Sequence, residues 1–183
     1  DRASLVGLAG KGVQVKVVTN SLASTDQPAV HSAYGPLRKQ LLAGGVQLYE
    51  LQPRAGADQD AARRAGGGVG LHAKAFVVDG RYVFIGSMNM DRRSAQLNTE
   101  QGIVVDSPAL AQAVAQYFAT LTLPANAWRL ALEDKGGDGG KGQILWIGEE
   151  GGKQKTRDSE PEIGPFKRTE LILLKLLPID GML

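Results

Sequence analysis

The sequence predicts an α/β fold, and three of its features carry that prediction. Apolar residues at helical spacing fill the stretch from Asp1 to Gly10, and Gly12 ends it before a strand-like apolar run. A helical pattern followed by glycines and a second apolar run recurs around Gly44-Gly45. Two further apolar runs flank Asp79-Gly80, a dipeptide typical of tight hairpin turns. Helices and strands are therefore expected to alternate along the chain.

The composition is that of a globular protein with a hydrophobic core. The chain has 183 residues, of which 43% are hydrophobic and 22% charged, which is enough for one domain. A net charge of +2 gives no strong case for a nucleic-acid partner, and the lack of cysteine excludes disulfides and thiolate metal sites. The sequence shows no secretory signal and no membrane-spanning run. Because the chain starts at Asp1 inside a helical pattern, we expect it to be a piece of a longer protein.

Two apolar runs in the first third of the chain predict strands. Val13 to Val18 reads as a buried strand that ends at Thr19-Asn20-Ser21, and a polar loop continues to Gln27. Val46 to Leu51 reads as the second strand. A helix before each strand is the usual arrangement of an α/β unit.

The helix between these strands is predicted over Pro28 to Leu42. Pro36 is expected to bend or interrupt it, because proline lacks the backbone N–H that a helix interior needs. The pattern places Arg38 and Lys39 on the side opposite to the apolar residues, which are Tyr34, Leu37, Leu41 and Leu42.

A long loop is predicted from Pro53 to Gly70, just before the most informative stretch of the chain. It contains three consecutive glycines and several alanines, together with Arg54, Arg63 and Arg64. Loops of this length are often functional or disordered. Two interpretations stay open: a solvated surface loop, or a mobile flap whose arginines contact an anionic substrate.

The stretch from Leu71 to Glu100 brings chemically useful side chains together. Side chains alternate between the two faces of a strand, so His72 and Lys74 point the same way. After the hairpin turn, the return strand leads to Ser87 and Asn89, which should lie beside the start of the first strand. An imidazole can act as a nucleophile, and an ammonium, a hydroxyl and an amide can hold the oxygens of an anion.

The second half of the chain continues with strands around one clear helix. Gln101 to Val105 reads as a strand, and Ser107-Pro108 has the residues of a helix start. The helix runs from Ala109 to about Leu121, and its buried stripe comprises Leu110, Val114, Tyr117, Phe118 and Leu121. Two short strands follow, joined by a glycine-rich connection, at Trp128 to Leu132 and Gln143 to Ile147.

The last part of the chain is set apart as residues 151–183, after a domain of residues 1–150. Gly151 to Pro165 is polar and predicted to be irregular. Phe166 to Leu177 is strongly apolar but too short to span a bilayer. Two interpretations are open for it: a helix packed onto a protein surface, or a helix lying in a membrane interface with its basic residues at the headgroups.

A gapped set of residues across the central stretch resembles the HKD motif of the phospholipase D superfamily. The motif residues are His72-x-Lys74, Asp79, Gly86-Ser87-x-Asn89, Arg93-Ser94 and Asn98-x-Glu100. The flanking segments resemble bacterial cardiolipin synthases of the type-C kind and their phospholipase D-like relatives; these segments are Thr19 to Asp26, Leu97 to Glu100 and Leu176 to Ile179. The resemblance covers nearly the whole chain, but only the C-terminal half of such an enzyme. It implies a mixed central sheet flanked by helices, one half of the bilobal phospholipase D fold.

The resemblance also implies that this chain holds half of an active site. The family shares one site between two HKD segments, and this chain has one of them. His31, the other histidine, is followed by Ser32 and Ala33, so it starts no second HxK motif. The other half-site is therefore expected from a missing N-terminal part, or alternatively from a second copy of this chain.

The family chemistry is phosphodiester transfer through a phosphohistidine. Carried over to this sequence, His72 attacks phosphorus or protonates the leaving alcohol, and Glu100 accepts the other imidazole N–H. Lys74 and Asn89 bind the non-bridging oxygens, where charge accumulates, and Ser87 donates a hydrogen bond at the same place.

Two further motif residues are expected to be structural. Asp79 should hold the hairpin turn or pair with a base, and Arg93 should brace its loop, although a phosphate contact is the alternative for Arg93. The resemblance implies no cofactor and no metal, because Lys74 and Asn89 supply the charge stabilisation.

Three functions are consistent with these observations. The favoured one is a cardiolipin synthase-like enzyme that transfers a phosphatidyl group to an alcohol or to water, peripherally attached to a bacterial membrane surface that supplies its phospholipid substrate. The second is a phospholipase D-like nuclease or phosphodiesterase active as a homodimer, which the weak net charge disfavours. The third is an inactive binding fragment. We expect this fragment to be inactive by itself.

Overall fold

Three helices and eight strands make up the described part of the chain. The computed structural model describes residues 2–25, 31, 33–53, 70–89, 94, 96–133 and 142–163. Their elements are, in order, α1 (Arg2–Gly10), β1 (Lys16–Asn20), a 3₁₀ turn (Gly35–Leu37), α2 (Arg38–Ala43), β2 (Gln47–Leu51), β3 (Ala75–Val78), β4 (Tyr82–Gly86), β5 (Gly102–Asp106), α3 (Pro108–Leu121), β6 (Ala127–Glu133), β7 (Gln143–Glu150) and β8 (Lys153–Arg157). The predicted α/β class is confirmed. The described strands are divided between two sheets.

The larger sheet has five strands in the order β1-β2-β6-β7-β8. The pair β1 and β2 is parallel and the other pairs are antiparallel, so this sheet is mixed. The main core lies against it, where α1 and α2 pack over buried residues of the sheet; these are Val46, Leu48, Trp128, Leu130 and Trp146. Leu51 and Ala127 of the same sheet belong to a second buried cluster, which Leu71 and Leu121 help to cover.

The helical segment before β2 shows one correct and one wrong expectation. Pro36 does interrupt the helix, since it lies in a 3₁₀ turn that separates the helical residues His31, Ala33 and Tyr34 from α2. Arg38, predicted to face solvent, is only 4% exposed. The prediction failed because Glu50 of β2 supplies a buried carboxylate for its guanidinium, at 2.6 Å. Lys39 is exposed as predicted.

The smaller sheet contains the predicted hairpin and has the order β3-β4-β5. Val78 pairs with Tyr82, and the Arg81 N–H donates to the Val78 carbonyl at 3.1 Å. Asp79 has φ +53° and Gly80 has φ +61°, and these positive values at both turn centres are those of a type I′ turn. The hairpin prediction is confirmed.

Helix α3 covers one face of the smaller sheet. The Ser107 hydroxyl accepts a hydrogen bond from the Leu110 N–H at 3.2 Å, and Pro108 is the first helical residue, as predicted. The helix contacts β3 and β4, where Val83 is fully buried. Tyr117 was wrongly assigned to the buried stripe, since it is 58% exposed.

The other face of the smaller sheet is apolar and largely exposed. Phe76, Phe84 and Val104 form one row across its three strands, and the rings of the two phenylalanines stack at 4.7 Å. Phe76 is 52% exposed and Val104 is 69% exposed. Because strand side chains alternate, this row lies on the side opposite to Val83 and α3.

A second hairpin corrects the expectation for the residues after Glu150. The predicted pairing of β6 with β7 is confirmed, but the segment from Gly151 was expected to be irregular. Instead β8 pairs with β7, through a turn in which Gly151 and Gly152 have φ of +58° and +76°. The two consecutive glycines were the sequence signal for this hairpin turn, and the prediction did not use them.

Several expectations concern residues outside the described ranges. These are the arginine-bearing loop of residues 54–69, Arg93, and the apolar segment of residues 166–177. Within the described ranges, no helix has the length and apolar character needed to cross a membrane.

Candidate active site

His72 and Lys74 lie at the entrance to β3, in the segment that precedes its first residue. The Gly86 N–H donates to the Lys74 carbonyl at 3.0 Å, which extends the β3–β4 ladder by one residue and fixes the direction of Lys74. His72 is exposed and Lys74 is half-buried. The motif is therefore held by sheet hydrogen bonds on one side and is accessible on the other.

The two side chains of this pair contact each other, although both residues lie before β3 and not on the strand that was predicted for them. Lys74 Nζ lies 3.2 Å from His72 Nδ1 and 3.1 Å from Nε2, and it also donates to the His72 carbonyl at 3.0 Å. An ammonium group can only donate, so the ring nitrogen that accepts from it must carry a lone pair.

Ser87 joins the end of β4 to the start of β5. Its N–H donates to the Gln101 carbonyl at 2.8 Å, and its hydroxyl oxygen accepts from the Gln101 N–H at 3.0 Å. The same hydroxyl donates to Glu100 Oε2 at 2.5 Å. The Asn98 side-chain amide donates to the other carboxylate oxygen at 3.3 Å. The Ser87 hydroxyl and the Asn98 amide thereby orient the carboxylate of Glu100.

The environment of Glu100 favours its ionised form. Hydrogen bonds from Ser87, then Ser94 and Asn98, lower the pKa of Glu100 below its ordinary value, and the positive charge of Lys74 acts in the same direction. Lys74 thus links the His72–Lys74 pair to the Ser87–Glu100 pair, because it contacts His72 and its charge acts on Glu100. The Lys74–His72 pair and the Ser87–Glu100 pair thus lie where β3 and β5 begin and β4 ends.

The predicted hydrogen bond from His72 to Glu100 is absent from the described part of the chain, where Lys74 is the partner of the imidazole. The Ser87 hydroxyl, assigned to the substrate, donates to Glu100 here. Asn89 is exposed two residues beyond Ser87. Asp79 occupies the hairpin turn as expected. The catalytic roles of these residues stay predictions.

Two anchors of the motif were not found by sequence reasoning. The Asn20 side chain donates to the Leu71 carbonyl at 3.0 Å and accepts from the Leu71 N–H at 2.7 Å. The Leu71 side chain packs against a small buried cluster with Leu51 and Ala127. The sequence signal for this contact is the polar residue Asn20 at the end of β1, which belongs to a segment that resembles the family.

An open pocket of about 500 Å³ adjoins Glu100 and is lined by Ile85, Gly86, Glu100, Gln101, Gly102 and Ile103. Its floor needs the two glycines, because a Cβ on Gly86 or Gly102 would lie 2.7 Å or 2.4 Å from the Phe84 ring. Among the residues that the structure describes, no three His, Asp or Glu side chains cluster as metal ligands would.

The sequence of this chain matches a known protein family over most of its length. Residues 2–122 match the family model described as cardiolipin synthase, PLD-like domain. The chain belongs to this family of phospholipase D-like domains. The superfamily resemblance drawn from the motif residues is thereby confirmed.

Individual relatives agree with this family assignment. The chain is 39% identical over 184 residues to cardiolipin synthase C of Escherichia coli, an alignment that covers 99% of this chain and 37% of that protein. It is 30% identical over 171 residues to an uncharacterized protein of Helicobacter pylori, covering 92% of this chain and 32% of that one. It is 31% identical to cardiolipin synthase A of Erwinia tasmaniensis over 96 residues, which are 52% of this chain and 16% of that one. The chain thus spans 37% or less of the length of these relatives.

Proposed function

We propose that the chain supplies one half-site of an enzyme that transfers phosphatidyl groups between phospholipids through a phosphohistidine, as a cardiolipin synthase would. The observation that carries the proposal is the contact of the Lys74 ammonium with the exposed His72 imidazole, next to the Ser87–Glu100 pair, in a phospholipase D-like domain. An imidazole, a cation and an ionised carboxylate at one accessible edge are the groups that phosphodiester transfer needs.

The chemistry assigned to His72 is in-line attack on phosphorus. A neutral ring nitrogen forms an N–P bond while the bond from phosphorus to the leaving alcohol oxygen breaks, and a second imidazole from the other half-site protonates that oxygen. An incoming alcohol then attacks phosphorus, loses its proton to the second imidazole and releases His72. Water in place of the alcohol gives hydrolysis. The two imidazoles exchange these roles if the other one is the nucleophile.

Lys74 and Asn89 are assigned to the non-bridging phosphate oxygens. The transition state spreads negative charge over these oxygens, so a fixed ammonium and an amide N–H lower its energy more than that of the substrate. The exposure of Asn89 and the position of Lys74 beside His72 support this assignment. Glu100 is assigned to accept the second N–H of the His72 imidazole, and its lowered pKa keeps the carboxylate charged for this role.

The second half-site is proposed to come from another part of a longer protein, with a second copy of this chain as the alternative source. The apolar row that consists of Phe76, Phe84 and Val104 supports this proposal. Exposed apolar surface of this kind is typical of a face that binds another protein segment. We also propose a peripheral location on a bacterial membrane. This follows from the proposed phospholipid substrate.

The experiment is a transfer assay with the full-length protein in vesicles of phosphatidylglycerol and phosphatidylethanolamine. His72→Ala should lower cardiolipin formation by about a hundredfold or more. Gln154→Ala, an exposed change on β8, is the matched control and should leave the rate unchanged. Unaltered melting of the His72 variant shows that the loss is catalytic.

Two results would contradict the proposal. One is wild-type turnover by the His72→Ala protein. The other is a wild-type protein that cleaves a DNA substrate and transfers no phosphatidyl group, which would favour the nuclease class instead.

A further inference from the structure

We propose that Asn20 is a positioning residue for His72, because its side-chain amide holds the backbone of Leu71, the residue just before the imidazole. This inference rests on the proposed function of His72. Asn20 lies 51 positions away from Leu71 in the sequence and belongs to the other sheet. The contact therefore ties the motif to the larger sheet.

The hydrogen bonds of Asn20 use both ends of its amide. Nδ2 donates to the Leu71 carbonyl at 3.0 Å, and Oδ1 accepts from the Leu71 N–H at 2.7 Å. This is the pattern by which a neighbouring strand residue would bind the same backbone. Among the coded side chains of this length, asparagine alone offers a donor and an acceptor together; aspartate lacks the donor and alanine lacks both.

The support beneath Asn20 is rigid. Asn20 is the last residue of β1 and pairs with Leu51 of β2. The turn that follows is closed by a hydrogen bond from the Thr25 N–H to the Ser21 carbonyl at 3.0 Å and by one from the Ser24 N–H to the Ser21 hydroxyl at 3.1 Å. Ser21, Leu22 and Ser24 are all buried. A side chain held on such a base can act as a fixed reference point.

Leu71 is also fixed from its other side. Its side chain packs against Leu51 and Ala127, together with Leu121 of α3. The residue before it is crowded too, since a Cβ on Gly70 would lie 3.3 Å from the Ser24 carbonyl oxygen. The exposed imidazole thus follows directly after a residue whose backbone and side chain are both anchored.

The expected effect is on the rate of the chemical step. In-line attack requires the imidazole nitrogen close to phosphorus, and a misplacement of about 1 Å can lower the rate by about a hundredfold. In the described part of the chain, the hydrogen bonds of the Asn20 side chain go to the Leu71 backbone and not to the imidazole. Its loss should therefore lower kcat by about ten- to a hundredfold, while KM changes much less.

A matched control is available in Asn126. Its Nδ2 donates to the Thr120 carbonyl at 2.8 Å, so it is also an amide bound to a backbone oxygen, but at the end of α3. Asn126→Ala should cost stability of the same order without changing kcat. Asn20→Asp is the second variant, since it keeps the size and the acceptor and removes the donor.

The test compares Asn20→Ala, Asn20→Asp and Asn126→Ala in the full-length protein, by phosphatidyl transfer kinetics and by NMR of the His72 imidazole. The inference expects a lowered kcat and shifted imidazole signals for both Asn20 variants, and neither change for Asn126→Ala. Wild-type kcat in Asn20→Asp, or an equal loss of kcat in Asn126→Ala, would overturn it. If the wild-type protein transfers no phosphatidyl group, the proposed function fails. The NMR comparison then still decides on Asn20, because unshifted His72 signals would refute a positioning role.

Discussion

Lys74 is the residue that connects the imidazole and the carboxylate of the candidate site. It contacts both ring nitrogens of His72, and it lowers the pKa of Glu100 in addition to the larger effect of the hydrogen bonds from Ser87, Ser94 and Asn98. The positive charge of Lys74 therefore acts in the same direction as these hydrogen bonds and favours an ionised carboxylate at Glu100. Ser87 has the complementary role, since its hydroxyl and backbone bind both Glu100 and Gln101.

Ser87→Ala should raise the pKa of Glu100 toward its ordinary value. The Ser87 hydrogen bond is the largest cause of the lowered pKa, and a hydrogen bond to the charged form favours that form. Carboxyl NMR titration of Glu100 measures the change. Ser107→Ala, which removes a hydroxyl at the start of α3, is the control and should leave the titration of Glu100 unaltered. An unchanged Glu100 titration in Ser87→Ala would show that the hydrogen bond is unimportant.

Arg38→Met should destabilise the protein by about 3–5 kcal/mol, because it leaves the carboxylate of Glu50 buried without its cation. Glu50 is 1% exposed and also accepts from the Trp146 indole N–H at 2.9 Å. The double variant Arg38→Met with Glu50→Gln should recover part of this loss. Lys39→Met, at the exposed neighbouring position, should change stability by less than about 0.5 kcal/mol. Urea unfolding measures the three variants against the wild type, and equal effects of Arg38→Met and Lys39→Met would contradict the argument.

At the scale of elements, tight turns and helix starts define where the polypeptide reverses. Both hairpins with described turns have positive φ at two consecutive residues, Asp79-Gly80 and Gly151-Gly152. Helix α3 starts at a residue pair, Ser107-Pro108, that satisfies the first helical N–H groups and fixes the first φ. These turns and this helix start fix the ends of the elements, and α3 contacts the hairpin that follows His72 and Lys74.

Ser107→Ala should lower the stability of the protein by about 1 kcal/mol, since it removes the hydroxyl that accepts from the Leu110 N–H. Thr120→Ala removes a hydroxyl from the other end of the same helix, where it bonds back to the Gln116 carbonyl. That bond does not cap a helix start, so its loss should have less effect. Thermal unfolding distinguishes the two, and a larger loss for Thr120→Ala would refute the capping argument.

At the scale of the whole molecule, a buried ionic cluster ties three distant parts of the chain together. Arg38 of α2 binds Glu50 of β2 and Glu160, which follows β8, and His31 Nε2 lies 2.6 Å from Arg38. Burial alone would lower the pKa of Arg38, but Glu50 and Glu160 raise it well above its ordinary value. The segment after β8 is thus anchored to the helical layer by charge.

This cluster predicts a specific dependence of stability on pH. Burial alone would raise the pKa of Glu160, but His31 and Arg38 beside it lower that pKa from 4.5 to about 2. A carboxyl whose pKa is lower in the folded state stabilises above the unfolded pKa and loses that contribution as the pH falls through the folded one. Glu160→Gln should therefore be less stable than wild type above pH 4.5, and the difference should close toward pH 2.

Urea unfolding at a series of pH values tests this prediction. Glu133→Gln, an exposed change at the end of β6, should follow the wild-type curve throughout. A difference between wild type and Glu160→Gln that persists unchanged down to pH 2 would show that Glu160 does not act through its charge.

The sequence by itself determined the local parts of this protein. Asp79-Gly80 predicted its turn and Ser107-Pro108 its helix start, because φ preferences and side-chain capping act within a few residues. The residues from His72 to Glu100 predicted the family, and strand alternation predicted that His72 and Lys74 share a side.

Only the tertiary structure decided which distant groups meet. It buried Arg38, bound Ser87 to Glu100, added β8 to the sheet and joined Asn20 to Leu71 across 51 positions. The local sequence pattern predicts that Arg38 faces solvent, but the ion pair with Glu50 in the folded protein buries it. Such pairings depend on how whole elements pack, and a buried partner from another element can reverse what the local pattern favours.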